Sequence, residues 1–391
     1  MKKRFSVALA VVLTLALSLA LFSTGCTKKA DDPGTSDSGG DVIKIGVYQP
    51  LTGANAAGGE LELAGVKLAN EAYPEVLGKK IELVVVDNKS DKAEAANAAS
   101  RLIEKDGVCA VIGSYASALA IAAGEVMKSN EVPAVGVSNT NVQVTKGNDF
   151  YFRACSLDPY QGTVMARYAF NTLGAKSAAI IKNNADDYSV GLANFFKEEF
   201  LKLGGTIVSE TEYLNDTQDF NAQMTEIKSK NPEVVFSPAL IDSLALIVKQ
   251  ARENGVTVPI LGGDTYENPD FLTLAGESAN GCVFSTFFDA EGASTEEATK
   301  FLAAYEAKTP GESPSAATAL GWDAYLMIYK AIEKAGSADS IAIRDQLVLT
   351  DFDGVTGKTV LNEDGDAVTK DWVIKEVKDG AFSYLATVSP A

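Results

Sequence analysis

The sequence of 391 residues contains no histidine. Histidine is the usual proton carrier near neutral pH and the commonest metal ligand, so its absence excludes Ser-His and Cys-His nucleophile pairs and weakens the case for a metal site. The sequence also lacks a P-loop lysine motif, a GxGxxG turn after a strand and a GxSxG elbow. We therefore predict that the protein is not an enzyme and that it has no cofactor and no bound metal.

Positive charge is scarce in this chain. It has 34 lysine and arginine residues against 52 aspartate and glutamate residues, which gives a formal net charge of −18. A surface this acidic repels nucleic acids and anionic lipid headgroups, so we expect no nucleic-acid partner. The composition, with 46% hydrophobic and 22% charged residues, is typical of a folded globular protein, and the length favours two domains over one.

Cysteine is rare as well, with four residues in the chain. Cys109, Cys155 and Cys282 each lie in or beside an apolar run, and three thiols cannot all form pairs. No CxxC or Cys/His spacing indicates a metal site. We predict that these three residues are buried, reduced thiols that pack as small hydrophobic side chains.

The remaining cysteine, Cys26, ends a segment that is typical of an export signal. Three basic residues at 2–4 form its positive start, and an apolar run follows over 5–22. The four residues that end at Cys26 resemble a bacterial lipobox, in which the cysteine is lipidated and becomes the new N-terminus. We predict a lipoprotein signal peptide over 1–25 and a flexible tether of small and polar residues over 26–41. The alternative is an N-terminal membrane anchor with a chance cysteine.

The rest of the chain alternates short β-rich runs with longer helical runs, and the alternation restarts halfway. Apolar runs predict strands at 43–47, 81–86, 109–112, 133–137, 177–181, 206–210, 234–236 and 259–261. Helical patterns lie between them, at about 60–73, 91–105, 117–128, 189–203, 220–228 and 243–254. Further on, the sequence predicts two more helices and two strand-like segments, at 295–308, 316–335, 359–361 and 373–377. This βαβ order predicts an α/β protein with two successive parallel-sheet lobes.

Ligands of open parallel sheets lie at the carboxyl ends of the strands, where loops lead into helix N-termini. In this chain the rule selects four loops, at 113–117, 138–141, 183–188 and 262–264. Ser114 and Ser117 lie where a helix begins, and the free backbone N–H groups there favour an anion. Ser138 and Thr140 add hydroxyl donors, so the two loops of the first lobe would suit a carboxylate. The competing interpretation of each hydroxyl is a helix N-cap.

In the second lobe, Asp264 follows two glycines, which let a ligand approach the backbone closely. Its carboxylate would suit an ammonium group, through a charge-assisted bond worth about 1.5–3 kcal/mol. Tyr188 would add an aromatic wall or a hydroxyl. The competing interpretations are a cap for a helix that begins near Asn268 and packing in the lobe core. Hydroxyls on one lobe and a carboxylate on the other match a zwitterion held across a cleft.

Five segments form an ordered pattern along nearly the whole chain after the signal peptide. They are 43–47 with 50–53, 110–113 with Ser117, Phe152-Arg153 through Asp158 to Gln161-Gly162, 250–252 before the loop at Asp264, and 275–281. This pattern resembles the leucine/isoleucine/valine-binding family of ABC-transporter receptors. The resemblance implies a type I periplasmic binding protein fold, with two doubly wound parallel-sheet lobes joined by a three-strand hinge. The implied lobes are 42–158 plus 289–355 and 159–288 plus 356–391.

The same resemblance implies an extracytoplasmic solute-binding protein of an ABC importer, with a membrane permease as its partner. It would act as a monomer, anchored by lipid to the outer face of the cytoplasmic membrane. Ser117 matches the helix-start serine that binds the ligand carboxylate, and Asp264 matches an acid that pairs with the ligand ammonium. The full set of implied ligand-binding residues is Ser117, Ser138, Asn139, Thr140, Tyr188 and Asp264.

Two positions depart from the family pattern. The aromatic residue that is often found in the first loop is replaced by the small residues of 54–59, and Leu240 stands at another cleft tyrosine position. The resemblance therefore implies that the residues that hold the zwitterion are retained while the side-chain pocket is reshaped. We expect a small amino acid as ligand, aliphatic or branched-chain before any other. The alternatives are a receptor of the same fold for an aromatic acid, urea or a short amide, and a lipid-anchored enzyme.

Overall fold

The computed structural model of the protein describes residues 42–389. The predicted signal peptide at 1–25, the tether at 26–41 and the lipidation site Cys26 lie outside the described residues. Within residues 42–389, no helix is both long and apolar enough to cross a membrane.

A six-stranded sheet forms the centre of the first lobe in the described part of the chain. Its strands are β1 Val42–Gln49, β2 Glu75–Val76, β3 Lys79–Asp87, β4 Ala110–Gly113, β5 Ala134–Gly136 and β6 Tyr151–Arg153. They lie in the order β2-β3-β1-β4-β5-β6, and all neighbours are parallel except β2 and β3. The connecting helices are α1 Ala56–Ala72, α2 Lys92–Ser100 and α3 Ser117–Ser129. Most of β1 is buried, as expected for a central parallel strand covered on both faces.

The second lobe repeats this plan. Its helices are α4 Asp158–Arg167, α5 Asp187–Lys202, α6 Asn221–Lys230, α7 Ile241–Glu253 and α8 Pro269–Ala275. Its parallel strands are β7 Ser177–Asn183, β8 Thr206–Tyr213, β9 Val234–Phe236, β10 Ile260–Gly262 and β11 Cys282–Thr286. They lie in the order β11-β10-β9-β7-β8. The carboxyl ends of β7 and β10 therefore belong to one edge of this sheet, as the strand-end rule requires.

After β11 the chain returns to the first lobe and then crosses back. The returning elements are α9 Glu296–Lys308, α10 Ala316–Ala335, α11 Ser340–Leu347 and a hairpin of β12 Asp351–Gly354 and β13 Gly357–Val360. Among them, α10 packs along α1. Two final strands, β14 Trp372–Lys378 and β15 Ala381–Val388, extend the second sheet beside β11 in antiparallel pairs.

Three crossings join the lobes within the described residues: between β6 and α4, between β11 and α9, and between β13 and β14. A buried ion pair lies at or beside each crossing. The pairs are Arg153 with Asp366 (2.6 Å), Lys375 with Asp289 (2.9 Å) and Lys370 with Asp323 (3.5 Å). The predicted architecture, two doubly wound lobes of largely parallel sheet with three connections, is confirmed.

The last predicted lobe boundary, at residue 356, lies inside a segment that bonds to the first lobe. Lys370 and Thr356 both contact Asp323 of α10, and Asp366 accepts a hydrogen bond from Thr145. The final crossing of the chain therefore follows Lys370. The other proposed boundaries stay predictions.

The three cysteines of the described chain are free, as predicted. Cys155 and Cys282 are buried, whereas Cys109 is partly exposed. Burial raises the pKa of Cys282 and of Cys109 to about 12, so both stay as thiols at neutral pH.

Candidate functional site

The two lobes contact each other across a cleft between the ends of their sheets. Asn141 Nδ2 donates a 2.7 Å hydrogen bond to the backbone oxygen of Asp187, and Lys92 pairs with the Asp187 carboxylate at 3.0 Å. The loops after β4 and β5 line one side of this cleft, and the loops after β7 and β10 line the other. The four loops that the sequence selected therefore meet in one place.

Asp264 presents its carboxylate to the cleft from the second lobe. Its Oδ1 accepts hydrogen bonds from the Tyr188 hydroxyl at 3.1 Å and from Gln161 Nε2 at 3.0 Å. Burial raises the pKa of Asp264 to about 6, although these two hydrogen bonds favour the ionised form. Asp264 is not a helix cap, because α8 is capped by Asn268, whose side chain accepts from the Asp270 N–H. The structure thus brings two predicted residues into direct contact.

Ser117 is the first residue of α3 and faces the loop after β5. Its Oγ accepts a 3.3 Å hydrogen bond from the Asn141 N–H. The N-cap residue of α3 is Ala116, so Ser117 does not occupy the position from which a hydroxyl usually caps a helix. The Ser114 hydroxyl, in contrast, accepts from Asn88 and donates to the carbonyl of the next residue. Of these two serines, Ser117 is therefore the better candidate for a ligand contact.

Arg153 on β6 holds the loop after β5 in shape. Its guanidinium donates to the carbonyl oxygens of Asn139 at 2.5 Å and Asn141 at 3.0 Å, and it is fully buried. The predicted site residue Asn139 is also fully buried, and its side chain donates to the Ser114 carbonyl. The described hydrogen bonds of Asn139 therefore all join residues of the first lobe, and they support the loop after β5.

Thr140 lies where the first lobe meets α4 of the second. It is fully buried, and its carbonyl accepts a 2.9 Å hydrogen bond from the backbone N–H of Asp158. Burial raises the pKa of Asp158 to about 8, even though the nearby Thr140 hydroxyl favours the ionised form. The Asp158 carboxyl group is therefore largely protonated at neutral pH, so it can donate a hydrogen bond.

Glu62, on α1, bonds to the predicted site residue Ser138 and was not singled out from the sequence. It is fully buried, and its Oε1 accepts from the backbone N–H of Ser138 at 3.1 Å and from the Ser138 hydroxyl at 2.5 Å. Its Oε2 accepts from Gln49 Nε2 at 2.7 Å. Burial raises the pKa of Glu62 to about 7. A signal was present, because a glutamate stands on a buried helix face otherwise made of small or apolar residues, which include Gly58, Gly65, Val66 and Ala69.

Tyr115, in the loop after β4, supplies an aromatic ring to the region where the first loop lacks one. The ring packs against Gly58 of α1, since a Cβ atom built on Gly58 would lie 2.3 Å from the tyrosine Cζ. Burial raises the pKa of Tyr115 well above its usual range, and the charges of Asp264 and Glu62 add to this effect. The small residues of 54–59 therefore make room for a ring from another loop.

A cavity of about 540 Å³ lies at the mouth of the cleft and has walls from both lobes. Its apolar wall is formed by Ala54, Ala116, Ala118, Leu119 and Leu240. Its polar lining includes Asn55, Asn183, Asp186 and Asp242. In the part of the chain that the structure describes, no cluster of three or more carboxylate or thiol side chains is placed to hold a metal ion.

Comparison with known proteins gives matches that cover nearly all of the described residues. The sequence profile of the periplasmic binding protein family matches residues 42–381. The Leu/Ile/Val-binding protein BraC3 of Rhizobium johnstonii is 30% identical over 353 residues, which cover 86% of this chain and 92% of that protein. The structure of a leucine binding protein, LivK, from Thermotoga maritima is 40% identical, with a TM-score of 0.86, and the match covers 89% of this chain and 99% of that one. The branched-chain amino acid transporter substrate binding protein LivJ from Streptococcus pneumoniae, in complex with isoleucine, is 33% identical with a TM-score of 0.84 over 89% of this chain and 100% of that one.

Proposed function

Because this chain belongs to the periplasmic binding protein family, we propose that it is the extracytoplasmic solute-binding protein of an ABC importer and that it binds an α-amino acid between its lobes. The similar proteins are named as binding proteins for leucine or for leucine, isoleucine and valine, or as a branched-chain amino acid transporter component. The two-lobed fold suits such a receptor, since hinge motion closes the lobes around a ligand.

The observation that carries the proposal is the position of Asp264 across the cleft from neutral hydroxyl groups. An ammonium group fits the Asp264 carboxylate, which accepts hydrogen bonds from the neutral Tyr188 and Gln161 and has no ion-pair partner among residues 42–389. A ligand carboxylate fits Ser117 at the N-terminus of α3, and Thr140 lies in the neighbouring loop, where the next residue, Asn141, donates to the Ser117 hydroxyl. A zwitterion would satisfy both ends and bridge the two lobes.

The ligand side chain would extend toward the cavity at the mouth of the cleft. Ala116, Leu119 and Leu240 give this cavity an apolar wall, which suits an aliphatic side chain. The names of the similar proteins favour the same class. We therefore propose a branched-chain amino acid as the ligand.

The route of delivery follows from the first part of the sequence. We propose that the signal peptide at 1–25 is removed, that Cys26 is lipidated, and that the tether at 26–41 lets a monomeric receptor reach its membrane permease. Replacement of Cys26 by serine is then expected to abolish incorporation of a labelled fatty acid into the protein. Mass spectrometry of the N-terminal peptide checks the lipid directly, and an unmodified Cys26 in membrane-bound protein would refute the anchor.

Thermal unfolding of the purified protein tests the ligand assignment. A ligand that binds the native state raises the melting temperature by mass action. We expect leucine, isoleucine or valine to raise it, and we expect the effect to disappear when the ammonium is acetylated or the carboxylate is removed. A rise with aromatic acids, urea or short amides alone would retain a solute-binding role and overturn the amino-acid assignment.

A further inference from the structure

The buried carboxylate of Glu62 bears on how the cleft selects its ligand. Glu62 does not reach the cleft itself, since its exposed fraction is 0%. It bonds to Ser138, which lines a small space between the lobes together with Asp264. We propose that Glu62 is a positioning residue that turns the Ser138 hydroxyl into a hydrogen-bond acceptor and thereby selects ligands that carry an ammonium group. This inference rests on the proposed function and names a residue that sets its specificity.

Both carboxylate oxygens of Glu62 accept hydrogen bonds from N–H groups, which can donate a hydrogen bond but cannot accept one. The backbone N–H of Ser138 donates to Oε1, and Gln49 Nε2 donates to Oε2 at 2.7 Å. The Gln49 amide is fixed in this orientation because its oxygen accepts from the Tyr115 N–H at 2.7 Å. All of these donors favour the ionised carboxylate of Glu62.

The second step concerns the hydrogen of the Ser138 hydroxyl. A hydroxyl group has one hydrogen and two lone pairs. With Oγ only 2.5 Å from Oε1, the Ser138 hydrogen is directed to the ionised Glu62. The lone pairs of Oγ then face the cleft, where they attract an N–H donor and repel a carboxylate. If Glu62 is protonated, its own hydrogen can bond to Oγ, and the Ser138 hydrogen is free to turn into the cleft.

The third step is electrostatic. The titratable groups that interact with Glu62 are an acid, three tyrosines and a thiol: Asp264, Tyr48, Tyr115, Tyr151 and Cys155. All of them are neutral or negative, and the hydrogen bonds to Glu62 also come from neutral groups. The buried cations of this region, Arg153 and Lys375, are already paired with the carboxylates of Asp366 and of Glu267 and Asp289. A ligand ammonium would therefore bring a positive charge that is not yet paired.

The test compares each amino acid with its deaminated acid. Isothermal titration calorimetry measures Kd for L-leucine, or for whichever of the twenty amino acids raises the melting temperature most, and for the same molecule with hydrogen in place of the ammonium group. The proteins are the wild type, Glu62→Gln and Ser138→Ala. Glu60→Gln is the matched control, because this substitution makes the same chemical change at an exposed residue of the same helix.

We expect the preference for the amino acid over the deaminated acid to fall by at least about tenfold in Glu62→Gln and in Ser138→Ala, and to stay unchanged in Glu60→Gln. We also expect the wild-type preference for the amino acid to rise between about pH 6 and pH 8, because Glu62 ionises in this range. In Glu62→Gln this preference is expected to rise less with pH, since only the ionisation of Asp264 then contributes.

A purely structural Glu62 would weaken both ligands equally and leave the pH profile unchanged, and that result would overturn the inference while the proposed function stands. If Glu62→Gln does not fold, Ser138→Ala decides the question, because that variant keeps the backbone bond from residue 138 to Glu62. A wild-type protein that binds none of the amino acids would overturn the proposed function and the inference together.

Discussion

At the scale of single residues, carboxyl groups whose ionised form is disfavoured by burial lie in the cleft and behind the loops that line it. The pKa values of Asp264, Glu62 and Asp158 are raised to about 6, 7 and 8. A raised pKa in the folded state means that the native protein binds more protons than the unfolded chain between the two pKa values. Stability then falls as the pH rises through that window. Such groups persist where they serve a site, and a ligand ammonium would offset part of their cost.

Asp158 gives the clearest pH prediction, because its pKa moves from the ordinary 3.8 to about 8. The Asp158→Asn variant removes the ionisation and keeps the shape. We expect it to melt at a higher temperature than the wild type at pH 8 and at nearly the same temperature at pH 4, because pH 4 lies close to the ordinary pKa of 3.8 and ionisation stabilises the unfolded wild-type chain only slightly there. Thermal melts followed by circular dichroism check this. The exposed Asp371→Asn is the control, and an equal shift of Asp158→Asn at both pH values would refute the prediction.

Asp264 gives the corresponding prediction for binding. Removal of one partner of a buried charge pair costs about 2–5 kcal/mol, so we expect Asp264→Ala to weaken amino-acid binding by that amount. The matched control is Asp270→Ala, an exposed aspartate at the start of α8. Titration calorimetry measures both variants. Unchanged amino-acid affinity in a folded Asp264→Ala protein would remove Asp264 from the site.

At the scale of elements, the position of Glu62 depends on how closely α1 approaches α10. A Cβ atom on Gly65 would lie 1.9 Å from the Thr318 carbonyl oxygen, and one on Gly321 would lie 2.3 Å from the Glu62 carbonyl oxygen. Only a residue without a side chain fits at either point, because the obstructing atoms are backbone. The glycines thus set the distance between two helices that are more than two hundred residues apart in the chain.

Substitution at this helix contact is expected to destabilise the protein. Gly65→Ala and Gly321→Ala force the helices apart, at a cost of about 1–3 kcal/mol in the free energy of unfolding, although alanine favours a helix intrinsically. Gly124→Ala in α3 is the comparison, since its new Cβ would meet first a side-chain amide at 3.2 Å. Urea titration measures all three. If the Gly65→Ala protein is as stable as the Gly124→Ala protein, the contact between α1 and α10 is not as tight as described.

Elements with a strong local pattern were the ones predictable from the sequence. The strand predicted at 81–86 is part of β3, and the helix predicted at 316–335 is α10. The strand β6 was not predicted, because one of its three residues is Arg153, whose burial is not evident from the sequence, and the edge strand β15 was missed because it is largely exposed. The loop of Asp264 was predicted to face the cleft because the strand-end rule selects it, and the role of Asp264 in binding stays a prediction.

The site residues that were missed act through partners far away in the sequence. Glu62 bonds to a residue 76 positions further on, and Gln161 bonds to one 103 positions further on. Local spacing carries no information about such pairs, which arise when α1 packs beneath the loop after β5 and when the lobes face each other. Tyr115 was missed for a related reason. Its ring packs against α1 at Gly58, where a larger residue would leave no room for it.

At the scale of the whole molecule, the function depends on how firmly the two lobes hold together without a ligand. The described contacts between the cleft edges include the Lys92–Asp187 ion pair and the Asn141 hydrogen bond to the Asp187 carbonyl. The Lys92 and Asp187 side chains are 55% and 47% exposed, so water and salt screen their attraction. A weak contact of this kind favours closure without preventing release of the ligand, as a receptor that must unload its ligand requires.

The Lys92–Asp187 pair can be tested by charge reversal. Lys92→Glu places two negative groups together and is expected to weaken amino-acid binding by about 0.2–1 kcal/mol, which is at most about fivefold, through a cost to the closed state. The double exchange Lys92→Glu with Asp187→Lys is expected to recover most of this loss. Titration calorimetry at low and high salt measures the cycle, and the effect of the single variant is expected to shrink as salt screens the charges.

The control for this cycle is Lys89→Glu, because Lys89 pairs at 3.2 Å with Glu94 of its own lobe and also lines the cleft mouth. It changes the local charge as much as Lys92→Glu does, but it breaks no contact between lobes. If both single variants weaken binding equally, the effect comes from the added negative charge acting on the ligand over a distance. If Lys92→Glu alone weakens binding and the double exchange restores it, the pair contributes to closure, and the free energy of ligand binding includes the work of bringing the two lobes together.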